Sequence, residues 1–414
     1  MSIGYASLTV HVRHGRFRTC KQSTCTSQRL REIISYNLST LETIIDYNAN
    51  NDLHLFRISS DIIPFASSPV NTLDWRNEFS DDFNRIAAKV KAAKIRISMH
   101  PGQYTVLNSL TSEIVTRSIQ ELWYHVHLIR ALGADQTNKL ILHVGGIYGD
   151  KEAAISRFIL VYQTLPQDIK THLVIENDER SYTIEDCLRI HEATGVPVVY
   201  DNLHHLLNHN QLASDGYWIK RVKETWKAAD GVQKVHYSQQ DLFKQRGAHS
   251  QTIDIDQFQH YYLSLQMIPD IMLEVKDKNL SAIKCVNCFE RAPHIKFLEK
   301  EWSLYKYDVL SHSQKIYQQI RTLLKDKLAY PSLDFYRLID KARTIPPSFD
   351  SEVNTLQHIW GYFKKIATPQ EKATYQKLMS ANENQTISIT RVKSFLRKLI
   401  DQYDNAYLDQ SIYL

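Results

Sequence analysis

The stretch KLILHVGG, residues 139–146, decides the fold of the first two thirds of this 414-residue chain. Leu140, Ile141 and Leu142 form a continuous apolar run that meets His143 and then two glycines. A strand that is apolar on both faces is typical of a parallel sheet covered by helices, and glycines mark where it ends. The stretch therefore predicts one strand of an α/β fold, with a histidine at its carboxyl end.

Seven further segments share this character and are bounded by polar or turn residues. They are SIGYAS (2–7), LHLFRISS (53–60), KIRISMH (94–100), HLVIEND (172–178), VPVVYDN (196–202), VQKVHYS (232–238) and PDIMLEVKD (269–277). Helical periodicity lies between them; Ile34, Leu38, Leu41 and Ile45, for example, recur at spacings of three or four. Eight strand–helix units predict a TIM (β/α)8 barrel, with an open doubly wound sheet as the alternative.

The pattern changes from about residue 301. HSQKIYQQIRTLLKDKL (312–328) and VNTLQHIWGYFKKI (353–366) have helical periodicity, and no further alternating strands follow. YPSLDF (330–335) and TIPPSFDS (344–351) are predicted to be the loops between helices. We therefore predict two domains, the barrel over residues 1–300 and an added all-α domain over residues 301–414.

The composition is that of an ordinary globular protein, with 43% hydrophobic and 23% charged residues. No apolar run approaches the roughly 18 residues of a membrane span, and the start lacks a signal-peptide pattern. Five cysteines argue against a disulfide framework. These features predict a cytoplasmic, prokaryote-like and nucleoid-associated protein with no membrane partner, and a net charge of +5 permits a polyanionic one.

Metal-capable side chains end or closely follow six of the predicted strands, and one more lies on the loop after strand seven. In chain order they are His100, His143, Glu176, Asp201, His204, His236, His249 and Glu274. The carboxyl ends of barrel strands meet in one place, where such groups would repel and desolvate one another unless cations neutralised them. The mixed imidazole and carboxylate set predicts two or three divalent ions, Zn²⁺ or Mn²⁺ rather than Mg²⁺, with Glu176 as a bridging ligand.

Multi-metal clusters of this kind suit the hydrolysis of a phosphodiester. Lys234 lies two residues before His236, so strand alternation turns both side chains to the same face. Its amine could neutralise a phosphate or carry a carboxyl group held by the metals.

Nine motifs, in order over about residues 1–280, resemble the UV damage endonuclease (UvdE/UvsE) family. They are GY (4–5), FRISSDIIP (56–64), HPGQY (100–104), LHVGG (142–146), ENDE (176–179), YDNLHH (200–205), KVHYS (234–238), AHS (248–250) and LEVKDK (273–278). The resemblance implies a TIM barrel similar to endonuclease IV. It also implies ATP-independent, metal-dependent nicking of double-stranded DNA immediately 5′ of ultraviolet photoproducts, both pyrimidine dimers and 6-4 photoproducts, and it favours Mn²⁺.

The resemblance also implies how the metal ligands are shared. A first ion would be held by His100, His143 and Glu176, and a second by Glu176, Asp201, His236 and Glu274. His204 and His249 would contribute to a third ion.

Other roles follow from the same resemblance. Gln103 and Tyr104, in SMHPGQYT (98–105), match the pair that probes the duplex at a lesion, and Tyr5 matches an aromatic residue near the scissile phosphate. Glu176, Lys234 and Tyr5 are thus the predicted catalytic residues. One departure is Ser68, which stands where family members often carry histidine.

The tail has a likeness of its own. YDVLSHSQKIY (307–317), LQHIWGYFKK (356–365) and DNAYLDQSIYL (404–414) are similar to the YbgA-like domain of unknown function. This likeness implies no biochemistry.

Three other functions fit the same residues. An abasic-site endonuclease like endonuclease IV would use the same metal cluster, and a barrel sugar isomerase also uses paired metals. The third is a non-catalytic DNA-binding scaffold. The pair Gln103–Tyr104 favours the ultraviolet-lesion nuclease.

Overall fold

The computed structural model describes residues 2–380 and 387–414, and the chain divides into two compact units, Met1–Val286 and Asn287–Leu414. In the first unit parallel strands close into a barrel in chain order, β1 to β8. The strands are β1 Ile3–Ser7, β2 Leu55–Ile58, β3 Arg96–Met99, β4 Lys139–His143, β5 Leu173–Glu176, β6 Val198–Asp201, β7 Lys234–Tyr237 and β8 Asp270–Leu273. The predicted TIM barrel is confirmed, and each strand lies inside its predicted segment.

Helices cover the outside of the barrel. They are α1 Ser27–Asn50, α2 Trp75–Glu78, α3 Ser80–Ala92, α4 Ser112–Ala131, α5 Lys151–Thr164, α6 Gln167–His172, α7 Ile184–Thr194, α8 Asn202–Leu207, α9 Asp215–Lys223, α10 Ile255–Ser264 and α11 Asn279–Phe289, the last of which runs past residue 286. The predicted periodicity of α1 is its buried face. In the described part of the chain, no helix combines the length and the apolarity needed to cross a bilayer.

Local sequence sets several of the boundaries. Thr183 and Asp186 form a capping box at the start of α7, and Gly195 ends that helix in the left-handed conformation at φ 75°. In the barrel wall, a β-carbon added at Gly4 would lie 2.0 Å from the carbonyl oxygen of Leu55, so β1 and β2 pack closely only with glycine there.

The amino-terminal end of the barrel is closed by buried charges. The guanidinium of Arg96 donates to Asp270 Oδ2 at 2.9 Å and to the carbonyl oxygen of Thr137 at 2.7 Å. Lys139 Nζ donates to Asp230 Oδ1 at 2.6 Å. Because these groups are largely removed from water, their pairing offsets the cost of burying charge beneath the barrel.

The second unit is helical and has its own apolar core, which includes Leu310, Leu356, Ile359 and Leu396. Its helices within the described residues are α12 Ile295–His312, α13 Gln314–Leu323, α14 Ser332–Arg343, α15 Phe349–Trp360, α16 Pro369–Met379, α17 Ile389–Gln402 and α18 Ala406–Asp409. The predicted domain limits of 1–300 and 301–414 stay a prediction.

The two predicted loops in this unit are too long. In YPSLDF the helix α14 already begins at Ser332, because Pro331 takes the N-cap position and sets the first turn. In TIPPSFDS the hydroxyl of Ser348 accepts a hydrogen bond from the backbone N–H of Ser351, so α15 begins at Phe349. Proline and serine at these points start helices instead of lengthening loops.

A carboxyl group is buried inside the helical unit. Glu301 on α12 is 2% exposed, and its Oε2 accepts a hydrogen bond from the hydroxyl of Tyr336 at 3.2 Å. That hydroxyl in turn accepts from Asn287 Nδ2 at 2.7 Å. Burial raises the pKa of Glu301 from its ordinary 4.5 to about 7, because the hydrogen bond from Tyr336 and the charges of Lys300 and Arg291 only partly offset the lost hydration.

We predict that Glu301→Gln stabilises the helical unit at alkaline pH. A carboxyl whose pKa is raised by folding stabilises the fold fully below pH 4.5, and this contribution is lost as the pH rises through about 7. The rise of the pKa from 4.5 to about 7 corresponds to about 3 kcal/mol of unfolding free energy over the whole titration, part of which is lost between pH 6 and pH 8. Thermal unfolding at pH 6 and pH 8 should show a pH-dependent loss in the wild type that the variant lacks.

The control for this experiment is Glu299→Gln, two residues earlier on α12, where the side chain is 41% exposed and pairs with Lys327. Its stability should follow the wild type at both pH values. Equal pH dependence in all three proteins would contradict the assignment to Glu301.

Candidate metal centre

Glu176 stands at the centre of the barrel mouth. It is the last residue of β5, lies beside His143 in the register of β4, and is 1% exposed. Its Oε2 is 3.3 Å from His100 Nε2 and 3.9 Å from His143 Nε2. The structure therefore brings together the first predicted ligand group, and the ligand atoms of these three residues lie within 4.8 Å of one another.

A second group shares the same carboxylate. Asp201 and His236 are register partners on β6 and β7. His236 Nδ1 lies 2.7 Å from Glu176 Oε1 and 3.2 Å from an oxygen of Glu274, which directly follows β8. The ligand atoms of Glu176, Asp201 and His236 again lie within 4.8 Å of one another. The two groups are joined through Glu176, the residue predicted to bridge.

The two remaining predicted ligands flank this centre. His204 Nδ1 is 3.8 Å from Asp201 Oδ1 and 3.8 Å from Glu176 Oε1. His249 Nδ1 is 3.9 Å from Glu274 Oε2. All eight predicted ligand residues thus converge on one volume, although His204, His249 and Glu274 belong to neither close group.

Hydrogen bonding leaves the ligand atoms ready for cations. His100 Nδ1 donates to the carbonyl oxygen of Pro101 at 3.0 Å, which leaves Nε2, 3.3 Å from Glu176 Oε2, as the nitrogen that can bind a metal ion. In addition, the described residues offer no hydrogen-bond partner to three buried ligand-residue atoms: His143 Nδ1, Asp201 Oδ2 and His236 Nε2. The donor set therefore fits divalent metal ions.

The pKa shifts of the ligand residues also fit a metal site. Burial lowers the pKa of His143 to about 4, so this imidazole is in the neutral form that binds metals. Burial opposes the ionisation of Glu176, but the neighbouring His236 and His100 outweigh it and hold the pKa of Glu176 well below its ordinary value. Burial raises the pKa of Asp201. The centre is thus a buried, electron-rich cluster.

His204 differs from the other imidazoles. Burial alone would lower its pKa, but the carboxylates of Asp201 and Glu176 raise it to about 9. Its Nδ1 donates to the carbonyl oxygen of Asn177 at 2.9 Å, which leaves Nε2 to carry the second proton. A cation near the same carboxylates would cancel the attraction that holds this proton.

Arg57 is a site residue that the sequence reasoning missed. It sits on β2 within the FRISS motif, is 13% exposed in its side chain, and pairs with Glu274. Burial would raise the pKa of Glu274, but Arg57 and His236 hold it well below its ordinary value. The available signal was an arginine inside a strand that otherwise reads as apolar.

A cavity of about 1130 Å³ opens beside the metal ligands. His100 and Glu274 line it on the cluster side, and Gln103, Tyr104 and Arg57 line it further out. A tight turn, in which Thr105 N–H donates to the carbonyl oxygen of Gly102 at 2.9 Å, lifts the pair Gln103–Tyr104 out of the barrel. The Tyr104 side chain is 84% exposed, so it does not pack on the rim as an ordinary loop tyrosine would.

Lys234 lies deeper in the barrel than predicted. It is the first residue of β7, pairs in register with Asp270, and is completely buried. Its Nζ has no hydrogen-bond partner among the described residues. Burial, with Arg96 nearby, lowers the pKa of Lys234 well below its ordinary value. The predicted role of this amine, to neutralise a phosphate or to carry a carboxyl group, stays a prediction.

Tyr5 is not brought to the centre. It is fully buried, its hydroxyl donates to Asn48 Oδ1 of α1 at 2.7 Å, and it is hydrogen-bonded to Thr9 Oγ1 at 2.7 Å. Strand alternation turns Tyr5 toward the helical layer while Ala6 faces the barrel interior, and the predicted place of Tyr5 near the scissile phosphate stays a prediction. Ser68 forms a local turn, with its hydroxyl accepting from the Val70 N–H at 3.3 Å.

Comparison with known proteins agrees with this geometry. Residues 1–302 match the model of the UV-endonuclease UvdE family, and residues 306–414 match a protein family of unknown function, DUF1722. A UV DNA damage endonuclease from Clostridium perfringens is 35% identical over 100% of this chain and 99% of its own length. A putative UV-damage endonuclease from Acanthamoeba polyphaga mimivirus is 36% identical over 68% of this chain and 89% of its own.

A solved structure extends the match to three dimensions. The crystal structure of SacUVDE is 38% identical to this chain, superposes with a TM-score of 0.67, and covers 70% of this chain and 98% of its own. A closed parallel barrel with clustered imidazoles and carboxylates at its carboxyl-terminal mouth defines a TIM-barrel enzyme whose clustered side chains fit divalent metal ions. More particularly, the chain belongs to the UV-endonuclease UvdE family and is an endonuclease of that family.

We predict that Glu176→Gln lowers the bound metal by at least half, because this residue is shared by both close ligand groups. Bound ions that leave on unfolding stabilise the native state, by about 2.7 kcal/mol at 100 times Kd. Chelation should therefore lower the Tm of the wild type and leave that of the variant nearly unchanged. Elemental analysis and thermal melts measure both effects.

Glu192→Gln, an exposed position on α7, is the control and should retain wild-type metal content. A wild-type protein with well under one equivalent of metal and a Tm indifferent to chelator would contradict the metal centre.

We also predict that metal binding releases a proton from His204 at pH 7.5. The imidazole is protonated before binding because its pKa is about 9, and cations beside Asp201 and Glu176 lower that value. Titration calorimetry in buffers of different ionisation enthalpy should give about one proton more for the wild type than for His204→Gln. Equal proton release by the two proteins would rule out His204 as its source.

Proposed function

We propose that this chain is a metal-dependent, ATP-independent DNA repair endonuclease that nicks double-stranded DNA 5′ of ultraviolet photoproducts, both pyrimidine dimers and 6-4 photoproducts. The observation that carries the proposal is the convergence of eight imidazole and carboxylate residues around Glu176, beside an open cavity. The names of the relatives support the type of substrate.

The ligand sets proposed for the ions follow the sequence prediction. His100, His143 and Glu176 would hold one ion; Glu176, Asp201, His236 and Glu274 a second; His204 and His249 would contribute to a third. Two or three ions, Mn²⁺ or Zn²⁺, fit these donors, and the family resemblance favours Mn²⁺. When bound, such ions lower the pKa of water and stabilise the oxygens of a phosphodiester during hydrolysis.

The surrounding residues have roles of their own in this proposal. Glu176 positions both ion groups, and the Nδ1–H of His100 fixes the ring that meets it. Arg57 holds Glu274 at the cavity edge. Lys234 is completely buried, and its Nζ has no hydrogen-bond partner among the described residues, which supports a carboxylated amine over direct contact with a phosphate. We also propose that residues 1–300 contain the nuclease and residues 301–414 a separate helical domain.

Gln103 and Tyr104 are proposed to read the lesion. A planar amide and an aromatic ring can fill the space left when damaged bases leave the stack, and a lesion that already stacks badly makes this less costly. The high exposure of Tyr104 and its place on the cavity wall support this role. The same pair favours an ultraviolet lesion over an abasic site as the substrate.

The nuclease proposal predicts incision of a duplex with one thymine dimer, immediately 5′ of the lesion, without ATP. Chelator should abolish the reaction and Mn²⁺ should restore it, while Glu176→Gln should stay inactive with the fold retained. Gel analysis of an end-labelled strand measures the product.

Parallel substrates separate the alternatives. Incision of a duplex with one abasic site but not of the dimer duplex would favour an endonuclease IV-like enzyme. Conversion of a free aldose with no effect on DNA would identify a sugar isomerase. DNA binding without incision of any duplex would leave a scaffold.

The lesion-reading role predicts that Tyr104→Ala weakens binding to the dimer duplex by about tenfold, since one base–aromatic stack contributes roughly 1–3 kcal/mol. Its metal content should stay at the wild-type level, because Tyr104 contacts none of the ligand residues by hydrogen bond. Tyr104→Phe keeps the ring and should bind within about twofold of the wild type. Equal losses in both variants would contradict stacking as the mechanism.

A further inference from the structure

The loop after β7 carries a strongly exposed apolar tip. Within the described part of the barrel unit, Phe243 is 99% exposed and Leu242 is 84% exposed, values matched there only by Tyr104 at 84%. The two adjacent side chains form a small exposed apolar patch, and an exposed apolar patch rimmed by polar residues marks an interaction site, unlike single scattered residues. The sequence reasoning did not single out this pair.

The tip is held by an ordered loop. Gln240 and His249 form an antiparallel bridge at its base, and Asp241 N–H donates to the carbonyl oxygen of Ala248 at 2.7 Å. The carboxylate of Asp241 accepts from the backbone N–H of Phe243 at 3.0 Å, which fixes the turn that carries the ring. Phe243 is therefore presented in a defined position, and its binding to a partner costs little ordering entropy.

The side chain of Gln240 fastens the loop from inside. Its Nε2 donates to the carbonyl oxygens of Gln245 and Ala248, at 3.0 and 3.2 Å, and its Oε1 accepts from the Gly247 N–H at 2.7 Å. Gly247 has φ 89°, a conformation that favours glycine. These bonds connect the tip rigidly to the strand that holds His236.

The position of the loop points to DNA. Its base carries His249, which lies 3.9 Å from Glu274 in the metal centre. In the closed order β1 to β8, β7 lies four strands from β3 in either direction, so the two strands stand on opposite sides of the barrel. Phe243 and Tyr104 are thus exposed on opposite sides of the mouth, with the metal ligands between them.

The charge near the tip also fits a polyanion. Lys244 is 49% exposed in its side chain, and its ion pair with Asp241, at 3.4 Å, is a surface pair of small energy. Arg246 is exposed and uses one nitrogen to bind the carbonyl oxygen of Leu207 at 2.8 Å. An apolar tip flanked by two cations is the pattern of side chains that enter a base step while cations contact the phosphates.

We propose that Leu242–Phe243 is a second DNA wedge, which enters the duplex at a base step on the far side of the scissile phosphate from Gln103–Tyr104. This inference rests on the proposed function, because the duplex must lie across the metal centre. With both wedges engaged, the duplex is held at two points and bent over the cluster between them. Phe243 is a positioning residue: it stacks on a base and does not touch the reacting atoms.

The test compares wild type, Phe243→Ala and Phe243→Tyr on a dimer duplex whose phosphodiester 5′ of the lesion is uncleavable. A 2-aminopurine placed in turn at steps on each side of the scissile position reports stacking. Phe243→Ala should lose the fluorescence change at a step remote from the dimer and bind about tenfold more weakly. Phe243→Tyr should retain both the fluorescence change at the remote step and the wild-type affinity. Tyr104→Ala should lose only the fluorescence change beside the dimer.

Leu263→Ala, a 71% exposed position on α10, is the matched control and should behave as the wild type. Because Phe243 is exposed, its truncation should leave the Tm unchanged, which separates this effect from misfolding. If the wild type nicks the dimer duplex and Phe243→Ala binds with equal affinity and an unchanged fluorescence pattern, the wedge is overturned alone. A wild type that neither binds nor nicks that duplex overturns the proposed function and this inference together.

Analytical ultracentrifugation tests the alternative that the exposed tip binds a second copy of the chain. A wild type that self-associates, with a monomeric Phe243→Ala whose DNA binding is unchanged, would identify a surface between copies of the chain and overturn the wedge.

Discussion

The structure around the barrel mouth depends on one buried carboxylate, Glu176. Its two oxygens face imidazoles from different strands, and Asp201 and Glu274 are close enough to add further negative charge. Arg57 and the protonated His204 balance part of this charge, whereas the neutral His143 does not. Burying the remaining carboxylates costs stability unless further cations offset them, so the cluster fits divalent ions. A scaffold without catalysis would gain nothing from this arrangement.

The barrel separates two polar layers by a thin apolar one. Ala6, Leu55 and Met272 form a small buried cluster inside the barrel. At the amino-terminal end Arg96 and Asp270 close the barrel with paired charges, whereas the carboxyl-terminal end leaves His143 Nδ1, Asp201 Oδ2 and His236 Nε2 without a partner among the described residues. The paired charges serve stability, and the unpartnered atoms lie where a TIM barrel carries its active site. Arg57 pairs with Glu274 and so holds this predicted ligand at the edge of the cavity.

The outer rim follows a different rule from the core. Tyr104 and Phe243 present aromatic rings to water on turns that their own backbones fix, although apolar side chains ordinarily leave the solvent. Each turn follows a strand with a predicted metal ligand at its end, His100 after β3 and His236 on β7, so the rings have fixed positions relative to these residues. The helical unit follows neither rule: it has its own apolar core and a single buried carboxyl, Glu301, inside it.

The sequence by itself determined the class of fold, because eight apolar strands with helical spacing between them leave few topologies. It also predicted the metal-capable residues at the mouth, since the carboxyl ends of all barrel strands meet there. Only the tertiary structure decided what depends on depth and direction. Tyr5 turned toward α1, burial lowered the pKa of Lys234, Arg57 paired with Glu274, and Phe243 took the exposed tip of its loop. The periodicity of the sequence indicates which face of a strand or helix a side chain lies on. The depth of its burial and its charged or hydrogen-bonded partners depend on residues far apart in the chain.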